Sequence, residues 1–338
     1  MSASALPSTL DTLWFTRCPV PTATGIAADR GWLASEFAPD GIQVRSLQDA
    51  GNGRSPEDHF THALTGLFRE GGNVPALWTR SKGEPTRLIG LTWIEERQAI
   101  LVRRDSPIAT PAQLAGARVA IPRRAIAIDF WRAMALAGFS GALATAGLTL
   151  DDTVPVDIAA EPHAPQWVAE LEALADGRVD AVYVKGALAV EAAARHDAVI
   201  GIDLDSFPDR AVRINNGTPR PVTVHQRLLD EHPELVARFL AVLIEAADWA
   251  AAHPADVSRI LAAETGAGAA GVAGAYAWTD SADLHLDLSG DRLELLARQE
   301  NFLRGQGFLA GPVDISAWTA AEPLTAARAL VRARAAER

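Results

Sequence analysis

Apolar blocks and polar breaks alternate along the chain with the spacing of strands and helices in turn. Residues 12–16 (Thr-Leu-Trp-Phe-Thr) read as a short strand stopped by Cys18-Pro19-Val20-Pro21, after which Ile26, Trp32 and Leu33 recur with helical spacing over 24–36. A second strand is predicted at 42–46 after Asp40-Gly41, with further buried or half-buried strands at 87–91 and 99–102. Beyond the turn Asp105-Ser106-Pro107 the pattern predicts a short helix at 111–114, a strand at 118–121 and a longer helix at 126–146. It then repeats, with strands at 154–158, 181–184 and 199–202 and helices at 166–175 and 187–195.

Residues 203–221 carry Pro208, Pro219 and Pro221, an Asn-Asn-Gly and no periodicity, which predicts an irregular connection where two lobes meet. Within it Asn216-Gly217-Thr218 matches a glycosylation sequon and reads as an Asn-Gly turn. A strand at 222–224 follows, and the remainder is mainly helical, with helices at 233–252, 254–263 and 292–305. Residues 266–274 are rich in Ala and Gly, which suits either close backbone packing or a mobile loop. Alternating strands and helices argue an α/β protein with mainly parallel sheets flanked by helices.

Length and charge narrow the partners. The chain has 338 residues, enough for about two domains. Its net charge of −11 repels nucleic acid and anionic lipid, so neither is an expected partner. The first thirty residues show no basic n-region and no continuous apolar run, Asp11, Arg17 and Asp29 interrupting it, and the protein is expected in the cytoplasm. The most apolar helix candidate, 235–252, contains Arg238, Glu245 and Asp248 and does not read as a membrane span.

Candidate chemistry is constrained by two short lists: one cysteine, Cys18, and two lysines, Lys82 and Lys185. An internal disulfide and a thiolate metal cluster are excluded, and a Schiff base has two candidate amines. Cys18 lies just past a strand on a chain held by Pro19 and Pro21, a rigid mount, although a lone cysteine also suits a core. In Arg69-Glu70-Gly71-Gly72 the arginine offers a planar fork to an oxyanion, and the glycines leave backbone N–H groups open to one, although an arginine beside paired glycines also suits a solvated turn. His59 and His62 stand three apart; with no third ligand in view, His59 is better used as a hydrogen-bond partner or proton relay than as a metal ligand.

These blocks resemble two known patterns. Residues 99–108 (Ala-Ile-Leu-Val-Arg-Arg-Asp-Ser-Pro-Ile) followed by 112–121 (Ala-Gln-Leu-Ala-Gly-Ala-Arg-Val-Ala-Ile) resemble the crossing strand and second-lobe entry of type II periplasmic-binding-protein folds. That implies two lobes around a cleft, residues 1–102 with 218–338 forming one and 103–217 the other. Cys18-Pro19-Val20-Pro21, His59-Phe60-Thr61 and Arg69-Glu70-Gly71-Gly72 with Pro75 and Leu77 stand in the order and approximate spacing of 2′-hydroxybiphenyl-2-sulfinate desulfinases. Trp131-Arg132, the run Gly177 to Tyr183, and Trp249-Ala250 with His253 and Val257 extend the resemblance over about 12–318.

The resemblance implies a cofactor-free, metal-free site that takes the sulfinate group off a small anionic aromatic substrate and releases sulfite, in a chain expected to be monomeric. Position by position it suggests Cys18, His59 and Arg69 as catalytic, with Gly71 and Gly72 at the sulfinate and Phe60 and Trp131 as aromatic walls; Trp131 also suits an ordinary core. Two routes stay open. A protonated Cys18 thiol could protonate the ring carbon, or a Cys18 thiolate could attack sulfur and leave a covalent intermediate for water to resolve. The chain departs from the pattern at Val184-Lys185-Gly186-Ala187, where Lys185 either adds a cationic contact in the cleft, implying a more polar or acidic substrate, or is solvated at a strand end, and at 161–166, which lacks the aromatic character of a biaryl pocket. A solute-binding protein for a small sulfonate-like anion is the rival reading, since that is this fold's commonest use. A thiamine-pyrimidine synthase, which needs several cysteines, and a ligand sensor, for which no partner domain is visible, fit less well.

Overall fold

The computed structural model describes residues 10–16, 20–47, 60, 62–162, 164–276 and 284–337. Two sheets are built from strands β1 (Thr12–Phe15), β2 (Gln43–Ser46), β3 (Leu67–Glu70), β4 (Thr86–Thr92), β5 (Gln98–Arg103), β6 (Arg118–Arg124), β7 (Val154–Ala160), β8 (Val182–Lys185), β9 (Ala198–Asp203) and β10 (Arg220–His225). The first has the order β2-β1-β3-β10-β4. In the second, β8-β5-β9 is joined to β6-β7 by a parallel bridge between Val119 and Ala181, giving β7-β6-β8-β5-β9. Both sheets thus repeat one arrangement: second strand, first, third, a returning strand, fourth.

The returning strands change one expectation. The parallel pairs β1–β2, β1–β3 and β6–β7 follow the alternation of strand and helix, but β10 runs antiparallel to β3 and β4, and β5 to β8 and β9. The sheets are therefore mixed rather than mainly parallel. Each returning strand arrives from the opposite sheet without a helical crossover, and only such a crossover obliges neighbouring strands to run the same way. Sheet membership changes between Thr92 and Gln98, upstream of the division expected after 102, and again between Asp203 and Arg220.

Three apolar clusters hold this frame. Helices Ala23–Asp29, Trp32–Phe37 and Pro233–Ala252 pack on one face of the first sheet, where Phe68 stacks on Phe239 at 3.8 Å between ring centroids. Burying a side chain of that size contributes roughly 1.5–3 kcal/mol. Val74, Leu77, Leu296 and Trp318 fill the other face, and Phe139, Leu143, Leu171 and Tyr183 lie in the core of the second sheet.

Local corrections have local causes. The helix predicted over 24–36 is two, because Gly31 takes the left-handed conformation (φ +72°) between them. The Ala/Gly-rich stretch forms helix Ala269–Ala275, and close packing explains its composition: a Cβ at Gly271 would lie 2.9 Å from the Ala187 carbonyl oxygen. The Asn-Gly turn is present, closed by the Thr218 N–H donating to the Asn215 carbonyl at 3.0 Å. Among the described residues no helix is long and apolar enough to cross a membrane.

Candidate active site

β3 ends at the edge where the sheet gives way to helix Asn73–Ser81, and the residues between carry the first group of candidates. Arg69 is 1% exposed and lies opposite Thr223 of β10. Its Nη2 donates to the Gly72 carbonyl (3.1 Å), and its Cζ stands 5.9 Å from the centre of the Phe60 ring. A Cβ at Gly71 would come within 2.7 Å of that Cζ, so the glycine makes room for the guanidinium. Its own N–H donates to the Pro221 carbonyl (3.2 Å) and is thereby withdrawn from any anion, which corrects its expected role. Gly72 keeps that role open, since no hydrogen bond from its N–H is found among the described residues.

The loop is fixed from the crossing segment. Asn216 accepts the first helical N–H groups, from Asn73 at its carbonyl (2.7 Å) and Val74 at its Oδ1 (3.0 Å), satisfying donors that a helix start leaves open. Asn73 in turn donates through Nδ2 to the carbonyls of Asn215 (2.6 Å) and Pro219 (2.8 Å) and accepts from Gln299 Nε2 (3.1 Å). Asn215 reaches the second sheet, donating to the Tyr183 hydroxyl (2.8 Å), which donates to Gln98 Oε1 (2.7 Å). One asparagine pair therefore connects both sheets to the end of β3.

Glu70, beside Arg69, faces the opposite way. Its Oε2 accepts from the Thr24 N–H (3.0 Å) and hydroxyl (2.6 Å), and its Oε1 from the Thr92 hydroxyl (3.2 Å). Burial pushes its carboxyl above the ordinary carboxylate range despite these donors and the attraction of Arg220. His62, with φ +51°, bonds Thr223 Oγ1 through Nε2 at 2.8 Å; Thr223 is the register partner of Arg69, so His62 steadies that pairing.

A second group gathers at the end of β8. Lys185 Nζ is 2.8 Å from Glu96 Oε2, the two side chains 6% and 7% exposed, and burial holds the ammonium below its usual value despite the carboxylate beside it. Lys185 is thus a paired cation. Its carbonyl accepts from Trp167 Nε1 (3.2 Å), and Trp167 meets Trp131 edge to face at 5.2 Å. Trp131 is half-buried and carries the Arg124 guanidinium 4.9 Å above its ring. Aromatic side chains missing from 161–166 are therefore present next door, in half-buried Trp131 and fully buried Trp167.

Arg69, Gly71, Gly72 and Phe60 come together, and Trp131 and Lys185 are joined through Trp167. Cys18 and His59 lie outside the described residues. Among the described residues no three His, Cys, Asp or Glu side chains converge on a common point.

Comparison with known proteins bears on this geometry. A family model described as NMT1/THI5 like matches residues 22–257. The 2′-hydroxybiphenyl-2-sulfinate desulfinases of Rhodococcus erythropolis and Rhodococcus qingshengii are each 30% identical over 92% of this chain and 92% of theirs. The chain belongs to this desulfinase family. A crystal structure of a mutant desulfinase, DszB, in complex with biphenyl-2-sulfinic acid superposes with a TM-score of 0.75 at 27% identity, covering 95% of this chain and 99% of that one. The periplasmic aliphatic sulphonate binding protein SsuA from Escherichia coli shares the fold (TM-score 0.68, 16% identity, 91% of each chain). The two-lobed α/β fold expected from residues 99–121 is accordingly the fold of this desulfinase-family chain.

Sequence reasoning missed Glu96, Asn73, Asn216 and Arg220 in this family member. Asn216 had a signal in the Asn-Asn-Gly, read only as a turn. Glu96 and Arg220 had none, because what gives them their place is Lys185, 89 residues from Glu96 and 35 from Arg220 in sequence.

Proposed function

We propose that the chain hydrolyses an aromatic sulfinate to the arene and sulfite. The observation that carries this reading is the 30% identity over 92% of both chains to the desulfinases, joined to a buried arginine held over a glycine at the end of β3. Arg69 and the Gly72 N–H would hold the sulfinate oxygens in a charge-assisted arrangement that orients the carbon–sulfur bond. Phe60, 5.9 Å from Arg69 Cζ, would border the ring, and Trp131 would close it from the second sheet.

In the first route the Cys18 thiol gives its proton to the ring carbon as the carbon–sulfur bond breaks. Sulfur dioxide leaves with the bonding pair on carbon, water adds to it to give hydrogensulfite, and the released proton restores the thiol. In the second, the thiolate bonds to sulfur while the ring carbon takes a proton, and water then cleaves the sulfur–sulfur bond. Both balance as sulfinate plus water giving arene plus hydrogensulfite. The first avoids driving an anion onto an anion, and His59 would orient or relay the proton in either. No cofactor enters.

Sulfite release from a panel of aryl and alkyl sulfinates tests the proposal. Wild type is expected to release sulfite from aryl sulfinates, and Cys18→Ser to lose at least about 100-fold in kcat, the scale of general acid catalysis. Full activity in the variant removes Cys18 from the reaction. Tight binding of sulfonates without release from any sulfinate would favour a solute-binding role instead.

A further inference from the structure

Arg220 opens β10 one residue before Pro221, whose carbonyl accepts the Gly71 N–H. By strand alternation it shares the face of Val222 and hence of Glu70, opposite in register, whereas Arg69 shares the face of Thr223. It is 4% exposed. Its Nε has no hydrogen-bond partner, and no hydrogen bond or ion pair of its guanidinium occurs among the described residues. Through space it favours the charged form of Glu70 and opposes that of Lys185.

Gly217 locates where this side chain ends. A Cβ there would lie 2.6 Å from Lys185 Nζ, 3.1 Å from Arg220 Nη2 and 3.7 Å from Glu96 Oε2. Two cationic donors therefore converge on one point beside a residue that has no side chain. Lys185 is paired with Glu96 Oε2 at 2.8 Å, while the donors of the Arg220 guanidinium find no partner among the described residues. A buried guanidinium whose hydrogen bonds are unmade is costly, and a bound ligand or ion would complete them.

We infer that Arg220 and Lys185 form a second anion seat apart from Arg69, and that the substrate is an aromatic sulfinate bearing a further anionic group, a carboxylate or sulfonate, on its ring. This rests on the desulfinase reading and makes it more specific. The sulfinate is held from the Thr223 face and the second anion from the Glu70 face, so the ring lies across the end of β3 and β10.

The test compares sulfite release from benzenesulfinate and from its 2-, 3- and 4-carboxy derivatives by wild type and Arg220→Gln. At least one carboxylated isomer is expected to exceed benzenesulfinate at least tenfold in kcat/KM, with that ratio falling at least tenfold in the variant. No preference in wild type, or a preference that survives Arg220→Gln, overturns the inference. If no sulfinate is turned over, the desulfinase reading has failed, and calorimetric binding of 3-sulfobenzoate against benzoate still decides the seat: tighter binding of the dianion that Arg220→Gln abolishes supports it, and equal binding removes it. Should Arg220→Gln not fold, Arg220→Lys takes its place, with a partial loss of preference expected and an unchanged ratio counting against the seat.

Discussion

β3 and β8 occupy the same place in their two sheets, third in order beside a returning strand, and each carries a basic residue at its end ahead of glycine and a helix, Arg69 next to last in β3 and Lys185 last in β8. What they do with the cation differs. At β3, Arg69 folds back over Gly71 onto the Gly72 carbonyl. At β8, Lys185 crosses to Glu96 on the segment leading into β5, and Gly186 (φ +87°) leaves the space that a Cβ would contest with Glu96 Oε1. One strand end keeps its cation on its own loop; the other commits its cation to a buried pair. Equivalent topology therefore supplies a position for a charge, and the partner brought in from elsewhere decides how that charge is held.

The contrast can be broken experimentally. Arg69→Ala should be the most damaging change, lowering kcat/KM for an aryl sulfinate by about 100- to 1000-fold, the usual loss for a donor that stabilises an oxyanion; an unchanged KM with full kcat would remove Arg69 from the anion seat. Lys185→Met should act first on stability, costing about 3 kcal/mol because the buried Glu96 loses the ammonium paired with it. Lys185→Met with Glu96→Gln should recover part of that loss in denaturant titrations, and a purely additive double variant would mean the pair is uncoupled.

The two glycines sharpen the comparison at smaller scale. Gly186→Ala meets both a left-handed backbone and the Glu96 carboxylate, and should lower stability by about 1–3 kcal/mol. Gly71→Ala displaces the Arg69 guanidinium instead, so its main effect should fall on kcat/KM, about tenfold, with a smaller change in Tm. The mildest effect belongs to Glu70. Its carboxyl is raised by burial, so the folded state binds more protons than the unfolded state between the ordinary and the raised value. Stability should therefore fall as pH climbs through that window and level off above it. Glu70→Gln should flatten this slope in urea titrations across pH 4.5–8, and a slope unchanged by the substitution would assign it to other groups.

Much of this frame was legible in the chain. Residues 187–195 and 233–252 are helices with the bounds their periodicity predicts, because an apolar stripe, a proline start or a glycine stop acts within one helix and needs no distant partner. β3 escaped notice: its four residues are all buried and include Arg69 and Glu70, so no apolar–polar alternation marks it. Lys185 was visible as an anomaly of sequence but its pairing with Glu96 was not.

The alternation of elements, the α/β class and the family are all written in local periodicity and ordered motifs. Tertiary structure alone decided the direction of the returning strands, the withdrawal of the Gly71 N–H by Pro221, and the meeting of Lys185, Glu96 and Arg220 at Gly217. These depend on where distant segments lie in space. Electrostatics and hydrogen bonds at that range respond to distance and burial, which sequence spacing does not encode.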